Sequence, residues 1–175
     1  MPEKSEISSL PKVLVIDDEK LLRNSIKKIL ERANLYVETA MDYASAKQAV
    51  DEKEFDLLLV DIVLPKMSGL QMVEKLQKES GLKAQIIFFT GEPNLENVIH
   101  AIRLGATDYL EKPVNPPVLL DAVQRALSRG RYLVEISKEQ IKHKVTISNN
   151  LDIGLSTGIG EDRKSTRLNS SHRIR

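Results

Sequence analysis

The chain has no cysteine among its 175 residues. Disulfide bonds, thiolate metal sites and cysteine nucleophiles are therefore excluded for this sequence. Three histidines are present, His100, His143 and His172, and they do not show the spacing of metal ligands.

Long apolar runs and an excess of one charge are also missing. No stretch approaches the ~20 residues of a membrane span. The N-terminal segment MPEKSEISSLPK is polar and lacks the apolar core of a signal peptide. The formal net charge of +1 gives no argument for nucleic-acid binding. We expect a soluble cytoplasmic protein without membrane contact.

The composition is that of a globular protein. Hydrophobic residues make up 41% of the chain and charged residues 29%, which is enough apolar material for a core. A length of 175 residues indicates one domain with an appendage.

Residues 12–130 alternate two patterns. Short runs rich in β-branched residues predict strands over 12–16, 35–39, 55–60, 84–89 and 107–111. Helical spacing of apolar residues predicts helices over 19–33, 42–53, 70–81, 94–104 and 117–128. Five βα units in a row predict a doubly wound α/β fold, with a five-stranded parallel sheet and five flanking helices. In such sheets, ligands bind beyond the carboxyl ends of the strands.

The remaining segments divide the chain further. We predict a flexible N-terminus over 1–10, the main domain over 11–130 and a helical extension or linker over 131–161. Within that linker, RYLVEISKEQIKHKV extends the last helix, whereas TISNNLDIGLSTGIGE is interpreted as a strand fragment or loop.

The last segment has an unusual sequence. Residues 162–172, DRKSTRLNSSH, resemble the conceptual translation of a common sequencing adapter, so 162–175 is interpreted as an artefactual tail. A basic disordered tail is the alternative. The tail carries five basic residues and one acidic residue, so the formal charge of +1 becomes −3 without it. We expect the natural protein to continue past Glu161 into a further region.

Polar groups stand at the carboxyl ends of four predicted strands. Asp17 and Asp18 follow the first strand, Asp61 the third, Thr90 the fourth and Lys112 the fifth. Two carboxylates ~4 Å apart repel by ~4 kcal/mol at a protein-like dielectric, so a bound cation or a proton is favoured. Oxygen ligands of this kind suit Mg²⁺.

Each residue also has a structural interpretation on its own. Asp17 or Asp18 would serve as a helix N-cap, Asp61 and Thr90 as turn residues, and Lys112 as a solvated lysine. These separate explanations do not account for all five groups falling at strand ends. Together the residues indicate phosphoryl transfer, with Asp61 as nucleophile, Lys112 as counter-charge and Thr90 as hydrogen-bond donor.

The chain resembles the receiver domain of bacterial two-component response regulators over about residues 11–130. The motifs that carry this resemblance are VLVIDDE, LLLVDIVLPKMSGL, IIFFTGE and DYLEKPV. The resemblance implies the strand order 2-1-3-4-5 and a phosphorelay function. Asp61 is then the phosphoacceptor, and a sensor histidine kinase or phosphotransfer protein is the donor.

The resemblance also implies residue roles. Asp18 and Asp61 would bind Mg²⁺ directly, Asp17 largely through water, and Val63 through its backbone carbonyl. Thr90 would be the switch hydroxyl and Tyr109 the switch aromatic, whose ring turns inward when Thr90 moves. Lys112 would be the phosphate counter-ion, and the Lys112–Pro113 bond would be cis. The Val63 side chain cannot hold a hydrolytic water, so Val63 and Glu92 are expected to affect dephosphorylation.

The same resemblance implies partners and excludes others. The face formed by 94–128 is the expected contact for a homodimer or effector, and the receiver itself is not expected to contact nucleic acid. We expect no turnover enzyme, only phosphotransfer to Asp61 and loss of the phosphoryl group by hydrolysis.

Two alternatives share parts of this pattern. A phosphatase of the haloacid-dehalogenase type also uses an aspartate and Mg²⁺, but its nucleophile lies on the first strand in a D-x-D pattern. Here that strand ends in Asp17-Asp18-Glu19. A flavodoxin-like FMN binder would need a Ser/Thr/Gly-rich phosphate loop, and DDEKLL is acidic at that place.

Overall fold

The computed structural model describes residues 10–157, and within them the side chains of all but residues 132 and 148–157. The elements alternate along the chain as β1 (Lys12–Ile16), α1 (Lys20–Arg32), β2 (Tyr36–Ala40), α2 (Tyr43–Glu52), β3 (Leu57–Asp61), α3 (Gly69–Ser80), β4 (Gln85–Thr90), α4 (Leu95–Arg103), β5 (Asp108–Glu111) and α5 (Pro116–Thr157). The predictions for residues 1–9, for 158–161 of the linker and for the tail 162–175 lie outside the described residues.

The five strands form one parallel sheet in the order β2-β1-β3-β4-β5. This confirms the predicted fold class and strand order. The strand β3 is central, and all five of its residues are buried, because helices cover both faces of the sheet.

The core consists of two apolar layers, one on each face of the sheet. Alternate strand residues such as Val15, Leu59 and Phe89 pack with α1 and α5. The intervening residues, such as Ile16, Val60 and Phe88, pack with α2, α3 and α4. A residue's position along its strand therefore decides which layer its side chain joins.

The ends of several helices are fixed by local hydrogen bonds. Asp42 and Ser68 each form a capping box at the start of α2 and α3. Gly81 follows α3 with φ of 61°, a left-handed conformation that favours glycine. This confirms the predicted end of that helix.

The helix α5 runs further than the sequence predicted. It extends to Thr157, the last described residue, so the interpretation of TISNNLDIGLSTGIGE as a strand fragment or loop is wrong up to that residue. Once a helix is nucleated, each added residue gains a hydrogen bond, and this outweighs the weak helix propensity of asparagine and threonine.

The described chain falls into two compact units, one ending at Leu133 and one beginning at Val134. In the second unit, the side chains of 137–147 are all exposed. None of the helices within 10–157 combines the length and apolar character needed to cross a bilayer.

Candidate functional site

The described residues contain three buried polar side chains, Asp17, Asp61 and Thr90. Each lies at the carboxyl end of a strand: Asp17 follows β1, Asp61 ends β3 and Thr90 ends β4. Isolated polar groups are costly to bury, so the surroundings of these three must compensate them. The cluster lies at the predicted edge of the sheet.

The sheet register brings the two buried aspartates together. Ile16 of β1 is paired with Val60 of β3, so the next residue of each strand, Asp17 and Asp61, continues the row. Both residues occupy the alternate strand positions whose side chains face α1 and α5. The closeness of the two side chains therefore follows from the strand order and from the alternation of side chains between the two faces of a strand.

Lys112 joins the two carboxylates. Its Nζ donates to Asp17 Oδ2 at 2.7 Å and to Asp61 Oδ2 at 2.8 Å. The Lys112 side chain is 20% exposed, whereas those of Asp17 and Asp61 are 0% and 5% exposed. The Lys112–Pro113 peptide bond is cis, as the resemblance implied. The prediction that the end of β5 supplies a positive charge to this site agrees with this geometry.

Backbone amides hold the other oxygen of each carboxylate. Glu19 N–H donates to Asp17 Oδ1 at 2.7 Å, and Val63 N–H donates to Asp61 Oδ1 at 3.1 Å. In addition, Arg23 Nη1 donates to the backbone carbonyl of Asp17 at 2.5 Å. Both carboxylates are thus fixed on two sides by contacts within the protein.

The charges of the site shift its pKa values. Burial raises the pKa of Asp61 above the ordinary 3.8, and the negative charge of Asp17 adds to this. Lys112 and the Val63 amide favour the charged carboxylate but do not outweigh burial. Burial alone would lower the pKa of Lys112, yet its bonds to Asp17 and Asp61 raise it. The ammonium therefore stays charged.

Three carboxylates could hold a cation. Oxygens of Asp17, Asp18 and Asp61 all lie within 4.8 Å of one another, and Asp18 is exposed to solvent. This all-oxygen set with one open side fits Mg²⁺, which binds through few carboxylates and keeps several waters. The Val63 carbonyl stays a predicted ligand.

The two predicted switch residues lie nearby in different environments. The Thr90 hydroxyl accepts a hydrogen bond from Glu92 N–H at 3.1 Å. The Tyr109 ring packs against the layer formed with α2, α3 and α4. Its hydroxyl is buried beside the backbone of Asn94 without a hydrogen bond of ordinary geometry, and burial raises its pKa. In this structure the Tyr109 ring is turned inward.

Three further residues contact the site, and their roles did not follow from the sequence. Gly69 lies so close to Asp61 that a Cβ atom would stand 2.0 Å from the Asp61 carbonyl oxygen. Arg23 contacts the site from the first turn of α1, and Phe89 contacts it from β4. Only the glycine at the start of a predicted helix carried a signal, because glycine is often required where two backbone segments approach closely.

Comparison with known proteins gives a consistent result. The family model for the response regulator receiver domain matches residues 13–124. The aerobic respiration control protein ArcA of Escherichia coli is 32% identical over 160 residues, which cover 90% of this chain and 66% of that protein. The regulatory protein VanR of Enterococcus faecium is 32% identical over 149 residues, covering 83% of this chain and 62% of VanR.

Solved structures agree. A CheY-like receiver domain protein from Methanospirillum hungatei matches with a TM-score of 0.66 and 34% identity, covering 71% of this chain and 98% of that one. NtrX from Brucella abortus matches with a TM-score of 0.68 and 30% identity, over 73% of this chain and 29% of NtrX.

The matches concern both the function of the chain and the share of its relatives' length that it covers. They do not support the haloacid-dehalogenase alternative. The chain spans at most about two thirds of the length of the curated relatives ArcA and VanR. Its fold, its acidic cluster with the bridging Lys112 and the family match lead to one conclusion: the chain belongs to the response regulator receiver domain family.

Proposed function

We propose that Asp61 accepts a phosphoryl group from a histidine kinase or phosphotransfer protein, within the phosphorelay signalling that characterises the family. The observation that carries the proposal is the Lys112 ammonium, which bonds to both buried carboxylates at 2.7 Å and 2.8 Å. An ammonium that contacts two buried carboxylates, beside the exposed carboxylate of Asp18, suits a site that receives an anionic phosphoryl group.

In the proposed reaction, a carboxylate oxygen of Asp61 attacks the phosphorus of a phosphohistidine. The new bond is an acyl phosphate P–O bond, and the P–N bond to the donor breaks. The electron pair of the broken P–N bond returns to the imidazole ring. The imidazole leaves as a neutral ring when its other nitrogen carries a proton, and otherwise it takes one proton from solvent. Lys112 stays within reach of the new phosphoryl oxygens because it already contacts Asp61 Oδ2.

Asp17, Asp18 and Asp61, with the Val63 carbonyl, would hold Mg²⁺ at this site. When bound, the ion offsets the negative charge of the phosphoryl oxygens. The Asp17 carboxylate is already oriented by Glu19 N–H and Lys112, so this residue needs little rearrangement to take part.

Thr90 and Tyr109 are the proposed switch. Phosphorylation of Asp61 would draw the Thr90 hydroxyl away from Glu92 N–H, which it now contacts at 3.1 Å. The Tyr109 ring, already turned inward, would be held there. The face of α4, β5 and the first part of α5, residues 94–128, would then bind a second copy or an effector.

Two neighbours would set the lifetime of the phosphoryl group. The Val63 side chain is 48% exposed beside Asp61 and cannot hydrogen-bond a water. Glu92 is exposed two residues after Thr90. We expect the apolar Val63 to slow hydrolysis relative to a polar residue at its position.

The wider organisation is also proposed. Residues 11–130 form the receiver, 131–161 a linker into an output region, and 162–175 an artefactual tail. The receiver acts in the cytoplasm as a phosphoprotein, with neither membrane contact nor direct contact with nucleic acid. It is not a turnover enzyme, because the phosphoryl group is lost by hydrolysis from Asp61 itself.

The proposal is tested by incubation with acetyl phosphate and Mg²⁺, followed by intact-mass measurement. Wild type should gain the mass of one phosphoryl group, and Asp61→Asn and the EDTA-treated protein should not. Equal gain by Asp61→Asn, or no gain by wild type, contradicts the proposal. Steady turnover of a phosphomonoester would instead favour the phosphatase alternative.

A further inference from the structure

The ammonium of Lys112 has a third neighbour besides the two aspartates. Its Nζ lies over the aromatic ring of Phe89, 4.7 Å from the ring centroid. Phe89 is fully buried in β4, in the layer that faces α1 and α5. The charged Lys112 side chain of the site therefore contacts an aromatic ring of the hydrophobic core.

The sheet register places this ring beside the acceptor. Phe89 is paired with Asp61 on one side and with Leu110 on the other. Directly opposed residues of parallel strands point to the same face, so the ring and the Asp61 carboxylate project from the same side of the sheet. Lys112, just after β5, reaches over Phe89 to arrive at Asp61.

The contact has a physical basis. An aromatic ring carries negative charge density on its face, which attracts an ammonium within about 6 Å of the centroid, and more strongly where water is excluded. Lys112 is 20% exposed, so it is largely desolvated. The attraction to the ring also does not depend on the charge of either carboxylate. It persists when a phosphoryl group changes the charge on Asp61.

We propose that Phe89 is a positioning residue for phosphoryl transfer, whose ring holds the Lys112 ammonium at the Asp17–Asp61 edge. This inference rests on the proposed function of Asp61. It predicts that the transfer rate depends on the negative charge of the ring face, not only on the volume of the ring.

Fluorination separates these two properties. Phenylalanine with one, two and three fluorine atoms would be incorporated at position 89 by codon suppression, since fluorine withdraws electron density from the ring face with little change in size. We expect the rate of phosphorylation by acetyl phosphate and Mg²⁺ to fall stepwise along the series. The trifluorinated ring should lower it about fivefold, which corresponds to about 1 kcal/mol.

Phe88 provides the matched control. It is the preceding residue of β4 and is equally buried, but it packs in the opposite layer, away from Lys112. The same fluorinated series at position 88 should leave the rate unchanged within about a factor of 1.5, with similar melting temperatures in both series. A flat series at position 89, or an equal fall at both positions, would overturn the inference.

The experiment also distinguishes this inference from the proposed function. If the unmodified protein gains no phosphoryl group on Asp61, the proposed function fails. If it does gain one and the rate ignores fluorination at position 89, only the role of Phe89 fails.

Discussion

Asp61 is held in the folded protein at a cost to stability. Its native pKa lies above the ordinary 3.8, so between these two values the folded state binds a proton more readily than the unfolded state. Ionised Asp61 therefore lowers the free energy of unfolding, and this destabilisation disappears as pH falls through the native pKa. The burial of the Asp61 carboxylate accounts for that cost.

The substitution Asp61→Asn should accordingly stabilise the protein in EDTA. We expect the free energy of unfolding at pH 7 to rise by on the order of 1 kcal/mol, because Lys112 retains Asp17 as partner. The gain should shrink towards pH 4, because lowering the pH moves wild-type Asp61 towards its neutral form, in keeping with its raised pKa. Urea denaturation at both pH values measures this gain. A less stable variant, or a gain independent of pH, would contradict a raised native pKa of Asp61.

Gly69 is required by its distance from Asp61. In Gly69→Ala, the new Cβ would stand 2.0 Å from the Asp61 carbonyl oxygen and 2.9 Å from Val60 Cγ1. We expect a loss of about 3 kcal/mol in unfolding free energy and slower phosphorylation, because the end of β3 must move. The control is Gly91→Ala, where a Cβ would meet nothing within 4 Å. Equal stability of the two variants in urea would refute the steric explanation.

Residues of the site differ in how far the sequence predicts them. The placement of Asp17, Asp61, Thr90 and Lys112 at the ends of strands was predictable, because the end of an apolar run fixes where a strand emerges. The Phe89 contact was not, since a phenylalanine in a buried strand is by default a core residue and its neighbour lies 23 positions along the chain. Such contacts depend on the lateral order of strands.

Element boundaries follow from pairing more than from local composition. The strand predicted over 35–39 is Tyr36–Ala40, because its five residues pair one by one with Lys12–Ile16. The strand predicted over 55–60 is Leu57–Asp61. Asp56 lies outside it, and its side chain accepts a hydrogen bond from Lys12 N–H. The strand therefore ends one residue later than predicted, which brings Asp61 itself into the ladder, paired with Phe89.

The helix α5 should be uneven in stability along its length. Leu119, Ala122 and Val123 are buried against the sheet, whereas the side chains of 137–147 are exposed. We expect amides of 119–127 to exchange only near the global unfolding free energy, and those of 137–147 through openings that cost roughly 1–2 kcal/mol. Hydrogen exchange with mass spectrometry tests this, and equal protection of both segments would contradict it.

At the scale of the molecule, topology was the most predictable property. Five βα units constrain the chain to a parallel sheet with right-handed crossovers, and the observed order β2-β1-β3-β4-β5 brings the ends of β1 and β3 together. The length of α5 was less predictable, because residues 146–157 are rich in asparagine, serine, threonine and glycine, which have weak helix propensity.

The whole arrangement serves one acceptor, and chemical mapping of that acceptor is the most direct test. Borohydride reduces an aspartyl phosphate to homoserine, which peptide mass spectrometry locates. After treatment with acetyl phosphate and Mg²⁺, homoserine should occur at position 61 and at neither Asp17 nor Asp18. Homoserine at Asp17 or Asp18, or its absence from position 61, would contradict the assignment of Asp61 as the phosphoacceptor.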